Sequence, residues 1–249
     1  MTPRVEFLNI SFDALASDEM ERWIATRTAA SPYGYIVTPN VDHVVRNARA
    51  GQDIRLAYAA ADLCVCDSRV LRRLASLFGV ALTVVPGSDL VAALFDRLLR
   101  AGDRVCLIGG SAEDAAKLQL LFPQMAIVHH APPMGLRHDP AARAAAIAFA
   151  QAAQARVTLL AVGSPQQELL AHEMRLSTKM SGTALCIGAS VDFLVGTQSR
   201  APRFVQTAGL EWAWRLIKEP RRLTRRYLVE GPTVLPMAVR WWWAERGRS

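Results

Sequence analysis

No uninterrupted apolar run in this sequence reaches the ~18 residues that a bilayer-spanning helix needs. Any membrane would therefore be met from the side. The opening stretch, MTPRVEFLNISFDALASDE, lacks the apolar core of a secretory leader and carries acids at Glu6, Asp13 and Asp18. The expectation is a protein that stays in the cytoplasm. Charged residues make up 20% of the chain against 51% hydrophobic, which argues against disorder. Low-complexity linkers and internal repeats are missing. Cysteine is scarce: Cys64, Cys66, Cys106 and Cys186 each lie in an apolar stretch. Cys64 and Cys66 have the look of a metal half-site, but nothing downstream stands at zinc spacing, so four buried free thiols are expected. There is also no Asp-x-Asp pair to hold a divalent ion on a pyrophosphate. Neither metal nor cofactor is expected, and charge on a leaving phosphate falls to cationic side chains or helix ends.

Excess charge is absent from residues 1–199, where 18 basic and 18 acidic side chains balance. The whole net charge of +7 sits in residues 200–249, with eleven Lys/Arg against four Glu. Arginine outnumbers lysine there ten to one, and its fork suits phosphate. The same segment holds five of the six tryptophans: Trp212, Trp214, Trp241, Trp242 and Trp243. Tryptophan settles at a membrane–water boundary, so the two signals together point to a phosphate-bearing lipid at a membrane surface. A phosphodiester backbone would also attract such a tail. The aromatics are massed at the chain end rather than spread over a sheet, so no nucleic-acid partner is expected. A solvated basic face is the bland alternative for Arg221, Arg222, Arg225 and Arg226. Residues 210–216, LEWAWRL, suit a second copy of the chain as well as lipid.

Between these limits the chain alternates short β-branched runs with helical patterns. Strands are expected at 35–38, 63–66, 82–85, 104–108, 126–129, 157–162 and 183–187, and helices at 40–50, 70–78, 88–101, 112–121, 140–153 and 165–176. That alternation means an α/β, Rossmann-like and mainly parallel sheet with helices on both faces. Two further helices are expected at 205–218 and 221–228, parted by Glu219-Pro220. The division is an α/β catalytic domain over 1–195 and a helical, basic, membrane-associating appendage over 196–249.

Open parallel sheets bind ligands at the carboxyl ends of their strands. Polar or glycine-rich segments fall at five of those ends: Thr38-Pro39-Asn40, Cys66-Asp67-Ser68, Gly109-Gly110-Ser111, 163–168 and 188–192. Asp67 reads either as a cap of the following helix or as a general base beside apolar walls. The Gly109-Gly110-Ser111 turn reads either as a tight turn or as a phosphate cradle at a helix start. It is not a full G-x-G-x-x-G pattern, which argues against a dinucleotide-dependent oxidoreductase. His129 and His130 face opposite ways on one strand, one to the rim and one to the core.

Taken in order, several blocks resemble the WecG/TagA/CpsF family of glycosyltransferases. They are TPNVDHVVRNAR (38–49), ADLCVCD (61–67), GSDL (87–90), LIGGS (107–111), AVGSPQQE (161–168), GASVDFLVGTQSRAPRF (188–204) and LEWAWRLIKEPRRLTRRYL (210–228). The resemblance implies a metal-independent transferase moving a sugar from a UDP donor to a polyprenyl-diphosphate-linked sugar, in making bacterial surface polymers. It implies Asp67 as general base, and Thr38 and Asn40 as donor-sugar contacts. Gly109, Gly110, Gln167 and Asp192 would surround the nucleotide, and Arg215, Arg222 and Arg225 would close over the site and meet diphosphate. Three departures stand out: Cys66-Asp67-Ser68 replaces Pro-Asp-Gly, Val84 replaces an arginine, and the histidine block reads HHAPPMG. They leave a catalytically silent relative that scaffolds polymer assembly as the alternative.

Overall fold

The computed structural model describes residues 3–199, 201, 202, 205, 207 and 209–247; the side chain of Arg222 lies outside what is described. Six strands form one parallel sheet: β3 (Gly34–Val37), β4 (Leu63–Cys64), β5 (Arg104–Gly109), β6 (Ala126–His130), β7 (Val157–Ala161) and β8 (Thr183–Cys186). Their order is β4-β3-β8-β7-β5-β6. Val37 is in register with Cys64 and Cys186, Leu160 with Cys186, and Ile108 with Leu160 and His130. All six strands therefore end together, and the segments that follow them share one rim.

Alternation along the strands sorts side chains onto two faces. Tyr35, Val37, Cys64, Cys106, Ile108, Leu160 and Cys186 pack with α2 (Val41–Arg49), α3 (Gln52–Ala59), α4 (Arg69–Leu77), α7 (Pro140–Ala153) and α8 (Gln166–Leu176). Ile36, Leu63, Leu107, Leu159 and Leu185 pack with α1 (Ser17–Ala25), α5 (Gly87–Ala93), α6 (Ala112–Leu121) and α9 (Ser190–Leu194). The fold is the α/β, Rossmann-like arrangement with both faces covered. All four cysteines are free and buried.

Three expected elements differ, the first being the helix expected over 88–101, which is α5 followed by a π turn (Leu94–Leu98). Residues 82–85 form no strand: Val84 makes a single parallel bridge to Cys66. Pro86 has no N–H to continue the ladder, and the Gly87 N–H turns to the Asp67 side chain instead. The helix expected over 205–218 is broken at Gly209, which takes φ +72°, and resumes as α10 (Glu211–Lys218). After Glu219 come α11 (Pro220–Thr224), a π turn (Arg225–Glu230) and α12 (Val234–Arg246).

Three kinds of element were not expected from sequence: the hairpin of β1 (Arg4–Phe7) and β2 (Ile10–Asp13), the helices α1, α3 and α9, and α12. The hairpin turns on Leu8 and Asn9, both at positive φ, without the Asn-Gly pair that signals such turns. It guards the sheet edge: Asp13 accepts from the Cys64 N–H at 2.8 Å, and Arg4 binds Asp13 and the Ala61 carbonyl. α12 buries Val234 and Ala238 in the same core face, and Trp241 packs edge-on to Phe7 at 5.1 Å. Trp242 lies against Phe78 with Arg246 over its ring, and Trp214 is half-buried beneath Lys218. Only Trp212 and Trp243 of the five late tryptophans are exposed, so most of that aromatic mass joins the body rather than facing outward.

Candidate active site

The rim begins where β3 ends. Asn40 caps α2, its side-chain oxygen accepting from the Asp42 and His43 N–H groups at 3.0 and 3.3 Å. Thr38 is buried and donates its hydroxyl to the Cys186 carbonyl at 3.2 Å, tying β3's end to β8's. The Asp67 N–H reaches the Pro39 carbonyl at 3.0 Å, which brings the end of β4 beside them. Asp67 does not cap its own helix: Ser68 does, accepting from the Leu71 N–H. The Asp67 carboxylate instead accepts the Gly87 N–H at 2.7 Å, bridging to the start of α5. A side chain at Gly87 would meet Thr38 Oγ1 at 3.3 Å and Ser190 Oγ at 3.5 Å, so glycine keeps this corner open.

Burial pushes the Asp67 carboxyl up to about 7, and the Glu211 carboxylate adds to that. The Gly87 N–H, the Arg215 guanidinium and the Asn40 amide pull the other way without cancelling it. A carboxylate poised near neutrality at a strand end suits proton abstraction.

Cations reach this corner from α10 and the π turn. Arg215 lies over the Phe193 ring at 5.3 Å, and Arg226 pairs with the buried Asp42 at 3.0 Å. Arg46 holds the same Asp42 oxygen from within α2 at 3.0 Å. Burial, with Arg226 and Arg46 nearby, drives the His43 imidazole down to about 3, so it stays neutral at physiological pH. His43 Nδ1, Arg215 Nε and Arg226 Nε are all buried without a hydrogen-bond partner. Orphaned buried polar nitrogens around one corner are costly and mark a place for a ligand's oxygens. Arg225 is elsewhere: it is 85% exposed and paired with Glu230 at 3.1 Å. The expected positions Arg215 and Asp67 thus come together, Arg225 does not join them, and the Arg222 side chain falls outside the described residues.

The expected nucleotide residues divide as well. Gly109 ends β5 and Gly110 follows it, at φ +91° and +70°, and the Ser111 hydroxyl caps α6. A Cβ on Gly109 would sit 2.7 Å from the carbonyl carbon and oxygen of Ala161. Gly109→Ala should therefore destabilise the fold by about 2–4 kcal/mol, through clash and left-handed strain together. Chemical denaturation of the variant checks this, and a change under 1 kcal/mol would contradict it. His129 faces the rim, its Nε2 3.0 Å from the Gly109 carbonyl, while His130 stacks on Phe149.

Gln167 is buried, its amide oxygen accepting from Gly188 N–H at 3.0 Å and its nitrogen donating to Glu168. It shapes the β8 turn from beneath. Asp192 holds Gln198 through both its backbone and side chain, next to the Thr197–Asp114 hydrogen bond that joins this loop to α6. It therefore stands on the loop bordering the Gly110-Ser111 turn.

Sequence reasoning missed Gly87, His43, Glu211 and Arg226 as members of the corner. Gly87 stood in the GSDL block and Arg226 in the basic run; no spacing rule separated Arg226 from Arg225. Among the described residues, no three His, Cys, Asp or Glu side chains cluster closely enough to hold a metal ion. No helix of those residues is long and apolar enough to cross a membrane. The family model described as Glycosyl transferase WecG/TagA/CpsF family matches residues 5–248, nearly the whole chain.

Proposed function

The chain belongs to that family of glycosyltransferases, and from that premise we propose an inverting, metal-independent transfer of a hexose or N-acetylhexosamine from a UDP-sugar to a polyprenyl-diphosphate-linked sugar. The product would feed bacterial surface or exopolysaccharide synthesis. The observation that carries the reading is the corner where Asp67, its carboxyl pushed up to about 7, feels the Arg215 guanidinium, with unpartnered buried nitrogens on Arg215 and on the neighbouring Arg226 and His43. Asp67 takes the proton from the acceptor hydroxyl as its oxygen attacks the anomeric carbon. The bond from that carbon to the UDP oxygen breaks, UDP leaves with the electron pair, and one displacement inverts the centre. Arg215 and Arg226 offset the charge that grows on the departing diphosphate. Thr38 and Asn40 border the sugar, and the Gly109-Gly110 turn, with Asp192 beside it, borders the nucleotide.

In this reading residues 1–195 form the catalytic body and 196–249 the docked appendage. Exposed Ile217, Leu228, Val229, Leu235, Val239 and Trp243 stand among exposed Arg221, Arg225 and Arg240, which favours peripheral attachment to an anionic membrane surface. The direct test incubates the full chain with a panel of UDP-sugars and lipid-diphosphate sugar acceptors, with and without EDTA, and measures UDP release. Acceptor-dependent release that survives EDTA is expected. Release that needs a divalent ion would overturn the metal-independent step, and no release with any donor would point to a silent scaffold.

A further inference from the structure

A second basic site lies beside the first. Helix α4 presents Arg69, Arg72 and Arg73 within one and a half turns, at spacings that share a face. The side chains of Arg69 and Arg72 have no ion-pair or hydrogen-bond partner among the described residues, whereas Arg73 reaches the Thr207 carbonyl. These arginines wall two adjoining depressions. One of about 400 Å³ is lined by Arg69, Arg72, Leu82, Thr83 and Val84. The other, of about 340 Å³, shares Arg72 and Leu82 and continues along Arg73, Ser76, Val80 and Ala81.

The groove starts at the reacting corner. Arg69 follows Asp67 by two residues, and Val84 is bridged to Cys66 three residues before the Gly87 N–H that binds Asp67. Its lining is also particular, combining the guanidinium groups with the apolar residues Val80, Ala81 and Val84 and the edge of the buried Leu82. Crowded like charges without a counter-ion repel one another, and an anion relieves that repulsion. A purely inorganic anion would leave the apolar lining wet. An amphipathic anion satisfies both kinds of group.

The geometry points to this groove as the binding site for the acceptor's diphosphate, with Arg69 and Arg72 on the phosphates and the first part of the apolar chain along Val80–Leu82 and Val84. The inference rests on the reaction proposed above, in which two diphosphates meet: one leaves with the donor's uridine, the other stays on the acceptor. Two such polyanions repel strongly at close range and need separate cationic sites. Arg215 and Arg226 serve the first. Arg69 and Arg72 serve the second.

The test uses the full chain, the double variant Arg69→Gln/Arg72→Gln, and farnesyl diphosphate as a short soluble probe, with UDP as control. Titration calorimetry should show wild-type binding of farnesyl diphosphate, at least tenfold weaker binding by the variant, and UDP affinity unchanged within twofold. In turnover, the variant's KM for the lipid-diphosphate sugar should rise at least tenfold with kcat within threefold of wild type. The inference is overturned if the wild type does not bind the probe, if the variant binds it equally well, or if UDP affinity falls instead. Both arginines are at the surface or half-buried, and the single Arg72→Gln variant carries the same test should the double variant melt early. Lost probe binding in a protein that transfers no sugar would keep the groove and sink the reaction; transfer with an unchanged acceptor KM in the variant would do the reverse.

Discussion

Asp67→Asn is expected to lower sugar transfer by about 10²–10⁴-fold, the range that a positioned general base supplies, while UDP binding persists. The wild-type kcat/KM should rise tenfold per pH unit up to about 7, where Asp67 loses its proton, and flatten above. The variant's residual rate should lack that limb. Stability should move in the opposite direction. The native state holds the Asp67 proton more tightly than the unfolded chain does, so wild-type stability declines from about pH 4 to about pH 7 on this account and stays lower beyond. Asparagine removes the buried charge but keeps an oxygen for the Gly87 N–H. The variant should therefore melt higher than wild type at pH 8 and lose that advantage by pH 4. A slower enzyme that is also less stable at pH 8 would mean a structural role for Asp67 instead.

Arg226→Met should cost at least about 10²-fold in kcat, the scale seen when one charge-stabilising donor is removed from a reacting site. Methionine keeps an apolar stem, and Asp42 retains Arg46 as its partner. Arg225→Met should change the rate less than threefold, because that side chain is exposed and faces Glu230. A second readout separates chemistry from packing. Arg226 is one of the charges holding His43 down, so its removal should raise the His43 titration in an NMR pH series. If Arg225 proves the more damaging substitution, the corner as described has the wrong arginine.

That neighbouring pair marks where sequence reading stops. The parallel sheet was legible because its strands are apolar runs of the right length, parted by helices with identifiable starts such as Ser111 and Pro165, although Pro165 stands just before its helix and not in the first turn. The rim was legible because polar residues follow those runs directly, Asp67 most of all. Which arginine of Arg225 and Arg226 turns inward was not, since the helix changes to a π turn at Arg225 and shifts the faces that a regular 3.6-residue period would assign. The second role of Gly87 depends on Pro86 ending a strand that formed only one bridge, which no local pattern announces. The tryptophan run was misjudged for a related reason. Phe7 and Phe78, its partners, lie far off in sequence, so nothing near residues 241–243 signalled that two of the three rings had somewhere to pack.

The contact between Phe7 and Trp241 bears on how the molecule is made. A ribosome releases the hairpin and the entire sheet before it has synthesised the helix that covers them. During that interval Phe7 and the neighbouring apolar surface of α2 and α4 have no lid, and the edge of the sheet is guarded only by a short hairpin that has not been clamped. Closure spans more than 230 residues of chain, among the most distant contacts this length permits, so it can form only as a late step. A truncated or stalled chain would therefore display its unfinished state at the N-terminal hairpin, at the opposite end from the break.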